Sequence, residues 1–217
     1  MASDSKIVLF HCPQTRSTGS MVLLEELEAD YEVKLINIRD GENRRDEYLQ
    51  VNPLGKVPAL LHGDAMITEQ VAIFLYLADL FPQAGLAPAL NDPLRGPYLR
   101  WMVYYASCFE PAVVDKALQR DPAPRDTSPY ADYDIMLNAV VERLASGPYM
   151  LGDKFSAADV LWGMAFHWCT QFGLVPRTEV IDAYIKRVTS RRSFSEVLAR
   201  DVEIAAELQA KTETSTD

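Results

Sequence analysis

Residues 11–20, HCPQTRSTGS, carry an imidazole, a thiol, a guanidinium and four hydroxyls within ten positions. The segment follows an apolar run at 6–11 and leads into residues 21–27, where Val22, Leu23 and Leu27 recur at helical spacing. Hydroxyls at the mouth of a helix have two uses. One is to cap an unpaired backbone N–H, the ordinary reading of Ser17. The other is to donate to an anion on a ligand, helped by the partial positive charge of the helix start. Ser17 is the first candidate for that donor, and Thr15 and Thr18 stand as alternatives. Cys12 precedes Pro13 without a second cysteine at C-x-x-C spacing, which is the pattern of a half-buried structural thiol. His11 is read as a packing or capping residue.

Two further segments could grip the rest of a ligand. Pro58 opens the strand expected at 57–61, although proline cannot donate a ladder hydrogen bond. Either the strand starts at an edge with a trans bond, or a cis Val57–Pro58 bond turns the chain and offers the Val57 N–H and C=O to a ligand. Glu69 and Gln70 begin the helix expected at 69–81, where unpaired N–H groups favour a bound carboxylate. A plain cap by Thr68 is the alternative there.

These residues need elements to hold them. Residues 6–11 and 31–38 have strand character and 65–68 forms a fourth strand after the Gly63–Asp64 turn. Residues 40–49 hold a loop and a short surface helix. The order is β-α-β-α-β-β-α, after which strand signals stop. A Pro- and Gly-rich stretch at 83–97 reads as a linker. Helices follow at 98–117, modulated at Pro111, and at 129–144, 156–172, 178–189 and 194–210, with a frayed tail at 211–217. Ser156 and Asp159 form a capping box whose role is folding. Residues 156–172 are apolar enough to be the central helix of a bundle.

NPLGKVPAL, residues 52–60, closely resembles the glutathione transferase signature N-P-x-G-x-V-P-x-L, and ITEQVAIFLYL resembles that family's acidic-or-Gln, Ser, x, Ala, Ile motif. The resemblance extends to about residue 208. It implies an α/β thioredoxin-like N-terminal domain at 1–82, a linker at 83–97 and an all-α domain at 98–217 that lines an electrophile site. It implies a cis Pro58, Val57 pairing with the cysteinyl backbone of glutathione, and Glu69 on the γ-glutamyl ammonium. Gln70 takes the place usually held by serine. Lys56 is a candidate for the glycyl carboxylate, and Asn37 and Arg39 are weaker ones. Ser17 resembles the serine of serine-type transferases, and Arg16 stands where a bacterial class has cysteine. In the helical domain Trp101, Tyr104, Tyr105 and Phe109 form an aromatic stripe whose ordinary reading is core or dimer interface, and Tyr105 and Phe109, four residues apart, are the pair assigned to the electrophile site with Glu110 beside them. The implied activity is conjugation of the glutathione thiolate to electrophilic, largely apolar small molecules, in detoxification. The alternatives are a glutathione-dependent peroxidase or disulfide reductase and a non-enzymatic binding or stress-signalling protein. A homodimer is implied by the family.

Composition excludes some classes. With 21 basic and 31 acidic residues among 217, the net charge is −10, which repels a phosphate backbone and an anionic membrane surface. Three dispersed cysteines make neither a disulfide framework nor a metal set. No metal is expected among His167 and its neighbours Trp162 and Trp168. The opening MASDSKIVLF lacks the pattern of a signal peptide, and the expected location is cytoplasmic.

Overall fold

The computed structural model describes residues 6–121 and 123–214; the first five residues and the last three of the expected tail lie outside them. The chain divides into two units, one formed by Met1–Ala84 with Arg192–Asp217 and the other by Gly85–Arg191. The sequence reading gave the whole C-terminal stretch to the helical domain. Residues 192–214 instead belong to the first unit, where their helix packs against the first helix and Phe194 and Val197 are buried.

The first unit is a mixed four-stranded sheet: β1 (Ile7–His11), β2 (Tyr31–Leu35), β3 (Ala59–His62) and β4 (Ala65–Thr68), in the order β2-β1-β3-β4. β1 runs parallel to β2, with His11 opposite Leu35, and antiparallel to β3, with Phe10 opposite Ala59. β4 closes the sheet antiparallel to β3. As an inner strand β1 is covered on both faces, so it reads as a continuous apolar run and not as an alternation. Its two faces still differ. Phe10 packs with Ile36, Tyr48 and Ala59 on one side. Residues 9 and 11 point to the other, because successive side chains alternate.

The helices of this unit are α1 (Ser17–Glu26), the one-turn α2 (Asp46–Leu49), α3 (Gln70–Leu80) and α9 (Arg192–Thr214). α1 begins four residues before the helix expected at Met21, because 17–20 is small and hydroxylated yet fully buried. The expected tail is partly wrong as well, since α9 continues through Thr214. The Val57–Pro58 bond is cis, and the β1–β3 ladder begins only at Ala59.

The second unit is helical: α4 (Arg95–Tyr104), a π-helical turn at Tyr105–Phe109, α5 (Glu110–Ala117), α6 (Tyr133–Ala145), α7 (Ala157–Gln171) and α8 (Glu179–Thr189). The expected linker is shorter, with α4 starting at Arg95. The helix through 98–117 is modulated before Pro111. The proline ring conflicts with the carbonyl four residues back, at Ser107, and the chain widens there, with the Glu110 N–H reaching the Tyr105 C=O. α7 is the core helix. Trp162 meets Trp101, Tyr105, Phe109 and Phe166 at 5.0–6.1 Å between ring centroids, and its Nε1 donates to the Trp101 C=O at 3.1 Å. No helix among the described residues is long and apolar enough to cross a membrane.

Candidate functional site

The loop between β1 and α1 is built on hydrogen bonds from two directions. From inside, Ser17 Oγ accepts the Cys12 N–H at 3.1 Å and lies 3.0 Å from the Cys12 C=O, 2.8 Å from Thr15 Oγ1 and 2.8 Å from His11 Nδ1. From α9, the Asp201 carboxylate accepts the Gln14 N–H at 2.8 Å through Oδ2 and the Thr18 hydroxyl at 2.9 Å through Oδ1. Gln14 sits at φ +58°, a conformation a side-chain-bearing residue rarely adopts, and the bond to Asp201 holds it there.

This geometry sets Ser17, the first candidate donor, in the interior of the loop. The side chain is 0% exposed. A hydroxyl has one proton and two lone pairs, and four partners more than fill it. Nor does Ser17 cap α1, because the helix starts at Ser17 itself and the cap position falls on Arg16. Thr18 is equally buried, with its hydroxyl given to Asp201. Thr15 is different. It is half-buried at the loop surface, its hydroxyl donates to the Cys12 C=O at 2.7 Å, and it accepts the Ser17 N–H at 3.2 Å. Gln14 and Arg16, its neighbours in sequence, are exposed. Cys12 is buried, and burial pushes its thiol above the ordinary cysteine range.

The other expected residues of this unit divide between surface and scaffold. Val57 is half-buried just ahead of the ladder, and Pro58 is buried. Lys56 is exposed, and its carbonyl is fixed by the Tyr48 hydroxyl at 2.6 Å and the Asn52 amide at 2.9 Å. Asn37 is scaffold: its amide donates to Asp40 at 2.9 Å and its N–H to Glu42 at 2.7 Å. Arg39 is exposed and donates its N–H to the Asn37 side chain at 3.2 Å. The cap position of α3 is Glu69, not Thr68. Glu69 is exposed and strained, with φ +68°, which costs about 1–3 kcal/mol and is typical of functional positions. Gln70 reaches across to α1, donating to the Arg16 C=O at 3.0 Å. The starts of α1 and α3 are thereby joined, with Thr15 half-buried and Glu69 exposed beside them.

In the second unit the sequence reading needs correction. Tyr105 and Phe109 are buried, stacked on each other at 5.6 Å and packed on Trp162. They are core residues and not a wall open to a ligand, because the π-helical turn rotates both toward α7. The Tyr105 hydroxyl donates to Glu110. Ser156 and Asp159 keep the structural role expected of them. Asp159 accepts the Ser156 N–H at 2.9 Å, the Met150 N–H at 2.7 Å and the Tyr184 hydroxyl at 2.9 Å. Among the described residues, no three His, Cys, Asp or Glu side chains are placed to hold a metal.

The residue that the sequence did not reveal is Asp201. A signal was present, because Phe194, Val197, Asp201 and Leu208 recur every three to seven residues along one face of α9. A carboxylate inside an apolar stripe needs buried partners.

A family model for the glutathione S-transferase N-terminal domain matches residues 5–79. Glutathione S-transferase GstA of Escherichia coli O157:H7 is 29% identical over 198 residues, covering 89% of this chain and 98% of that protein. The disulfide-bond oxidoreductase YfcG of Escherichia coli is 26% identical over 208 residues, covering 89% and 95%. A sphingomonad glutathione S-transferase solved in complex with glutathione is 30% identical, covers 89% of this chain and 98% of its own, and superposes with a TM-score of 0.74. With the sheet order, the cis proline and the joined helix starts of the first unit, this likeness along nearly the whole length places the chain in the glutathione S-transferase family.

Proposed function

We propose that this chain binds glutathione on its first unit and transfers the thiolate to a small, electrophilic, largely apolar molecule, with Thr15 as the hydroxyl that meets the sulfur. The observation that carries this reading is the position of Thr15, half-buried in the β1–α1 loop at the start of a helix, where Ser17 and Thr18 are fully buried. Free thiols ionise near about pH 8.5, so a donor and a helix start aimed at sulfur favour the nucleophilic thiolate. The remaining roles follow the chemistry of glutathione. The Val57 backbone ahead of Pro58 pairs with its cysteinyl backbone. The N–H groups at the start of α3 take the γ-glutamyl carboxylate with Gln70 beside them, Glu69 takes the ammonium, and Lys56 takes the glycyl carboxylate.

The test is a comparison of Thr15→Ala, Thr15→Ser and Ser17→Ala in glutathione conjugation of an aryl halide. Thr15→Ala is expected to lower kcat/KM about 10²-fold, while Thr15→Ser keeps most of it. A folded Ser17→Ala protein that loses activity while Thr15→Ala keeps it would overturn the assignment.

A second reading, a glutathione-dependent peroxidase or disulfide reductase, has support in the oxidoreductase relative. Cys12, buried and with a raised pKa, is a poor thiol for that chemistry, so both sulfurs would come from glutathione or its disulfide. Assays with an aryl halide, an organic peroxide and a glutathione mixed disulfide separate the readings. A homodimer is supported by Leu54, 62% exposed in the first unit, and Val103, 53% exposed on α4. A cytoplasmic detoxification role goes with the transferase reading, and no disulfide joins the three cysteines of the described residues.

A further inference from the structure

We propose that His11 is the internal acceptor of the thiol proton of bound glutathione, reached through Thr15 and Ser17, with Asp201 holding it in place. The proposal rests on the reading that the sulfur meets Thr15. Three short links run inward from the loop surface: Thr15 Oγ1 to Ser17 Oγ at 2.8 Å, Ser17 Oγ to His11 Nδ1 at 2.8 Å, and His11 Nε2 to Asp201 Oδ1 at 3.1 Å. The last is a close approach and not an aligned hydrogen bond. His11, Ser17 and Asp201 are 0%, 0% and 2% exposed. Thr15 alone of the chain meets the surface.

Each link can carry a proton in the required direction. A carboxylate beside Nε2 favours the tautomer with the proton there, which leaves Nδ1 as an acceptor for the Ser17 hydroxyl. Hydroxyls both donate and accept. The sulfur proton passes to Thr15 Oγ1, Thr15 gives its own proton to Ser17 Oγ, and Ser17 gives its own to His11 Nδ1. One S–H and two O–H bonds break; two O–H bonds and one N–H bond form; no electrons change hands. The products are a thiolate that accepts a hydrogen bond from Thr15 and an imidazolium beside the Asp201 carboxylate. One positive charge enters the interior, where the Asp201 carboxylate balances it. Once the thioether has formed, the same chain returns the proton through Thr15 to water.

The surplus of partners around Ser17 fits this role. With His11 neutral, its hydroxyl points at Nδ1. With His11 charged, Nδ1–H donates to Ser17, whose own proton turns to Thr15 or to the Cys12 C=O at 3.0 Å. The two protonation states therefore need no movement of heavy atoms. The charged group facing His11 is Asp201 from α9, which also accepts from Gln14 and Thr18. β2 places Leu35 opposite His11. Asp201, Arg39 and Glu42 also act on the neighbouring Cys12 thiol. Asp201 and His11 act through other residues and do not touch the substrate.

The test uses the full chain carrying nitrogen-15 histidine, in which His11, His62 and His167 are the three histidines. Variants His62→Gln and His167→Gln assign the signals by elimination. Glutathione or S-methylglutathione, which has no thiol proton, is added at neutral pH while the ultraviolet thiolate band is followed. With glutathione the band is expected to appear and the His11 ring to become doubly protonated, and with S-methylglutathione neither change occurs. His11→Gln is expected to lower kcat/KM at neutral pH by about 10²-fold, with the loss shrinking as pH approaches the free thiol value of about 8.5. A thiolate band that forms while His11 stays neutral overturns the relay and leaves the transferase reading intact. So does a His11 already doubly protonated before ligand is added, or one that responds equally to S-methylglutathione. Bound glutathione that gives no thiolate band overturns both.

Discussion

At the scale of single residues, Thr15 and Ser17 carry the same functional group two positions apart and face opposite fates. Removing the Ser17 hydroxyl strips a partner from the Cys12 N–H, from Thr15 and from His11. Ser17→Ala is therefore expected to cost about 2 kcal/mol of stability, because buried donors lose their acceptor. Asp201→Ala should cost more, about 3 kcal/mol, since it takes the acceptor from the Gln14 N–H and from the buried Thr18 hydroxyl and removes the carboxylate beside the His11 ring. Urea unfolding checks both. Equal stability of Asp201→Ala and the parent chain would show that water replaces the carboxylate at no cost.

At the scale of elements, α7 shows two local rules in competition. Gly163 lies inside a fifteen-residue helix, where alanine is intrinsically better by about 1 kcal/mol. A Cβ there would stand 2.5 Å from Val188 Cγ1 on α8, and Val188 is completely buried. Overpacking costs about 1–3 kcal/mol and outweighs propensity. Gly163→Ala is thus expected to destabilise the fold, and Val188→Ala added to it should recover part of the loss in a double-mutant cycle. The start of α7 supplies a pH signature. Burial pushes the Asp159 carboxyl up to about 6, against the lowering effect of the hydrogen bonds from Met150, Tyr184 and Ser156. An unfolded aspartate titrates near about 3.9, so between roughly pH 4 and 6 the folded chain binds the extra proton. The stability linked to this group is full below about pH 4 and is lost as pH rises through about 6. The shift corresponds to about 3 kcal/mol. The stability difference between the parent chain and Asp159→Asn should fall by about 2 kcal/mol from roughly pH 4.5 to roughly pH 7.5, part of the linked stability being already lost at the lower of the two.

At the scale of the whole molecule, the question is what covers the exposed apolar side chains of α4. Leu99 and Val103 are exposed four residues apart on one helical face, with the charged Arg100 beside them. A second copy of the chain would remove them from water. Val103→Glu, which puts a carboxylate in that surface, is expected to convert a dimer to a monomer in light scattering without unfolding either unit. A parent chain that is already monomeric at the same concentration would remove the dimer from the reading.

The sequence by itself determined the order of strands and helices, the proline that interrupts the third strand, the capping pair Ser156 and Asp159 and the acidic start of α3. These are local: a period of two or 3.6, a missing N–H or a hydroxyl three residues from a carboxylate is written in neighbouring positions. That Ser17 is fully buried and Thr15 only half-buried was not written there, because both fit the same spacing. The fates of Tyr105 and Phe109 depended on a π-helical turn that rotates them into the core. The partner of His11 and Gln14 was least legible of all. Asp201 reaches Gln14 across 187 positions of sequence and Thr18 across 183. Only the return of α9 to the first unit brings that carboxylate to the loop, and no local pattern records a contact made by so distant a segment.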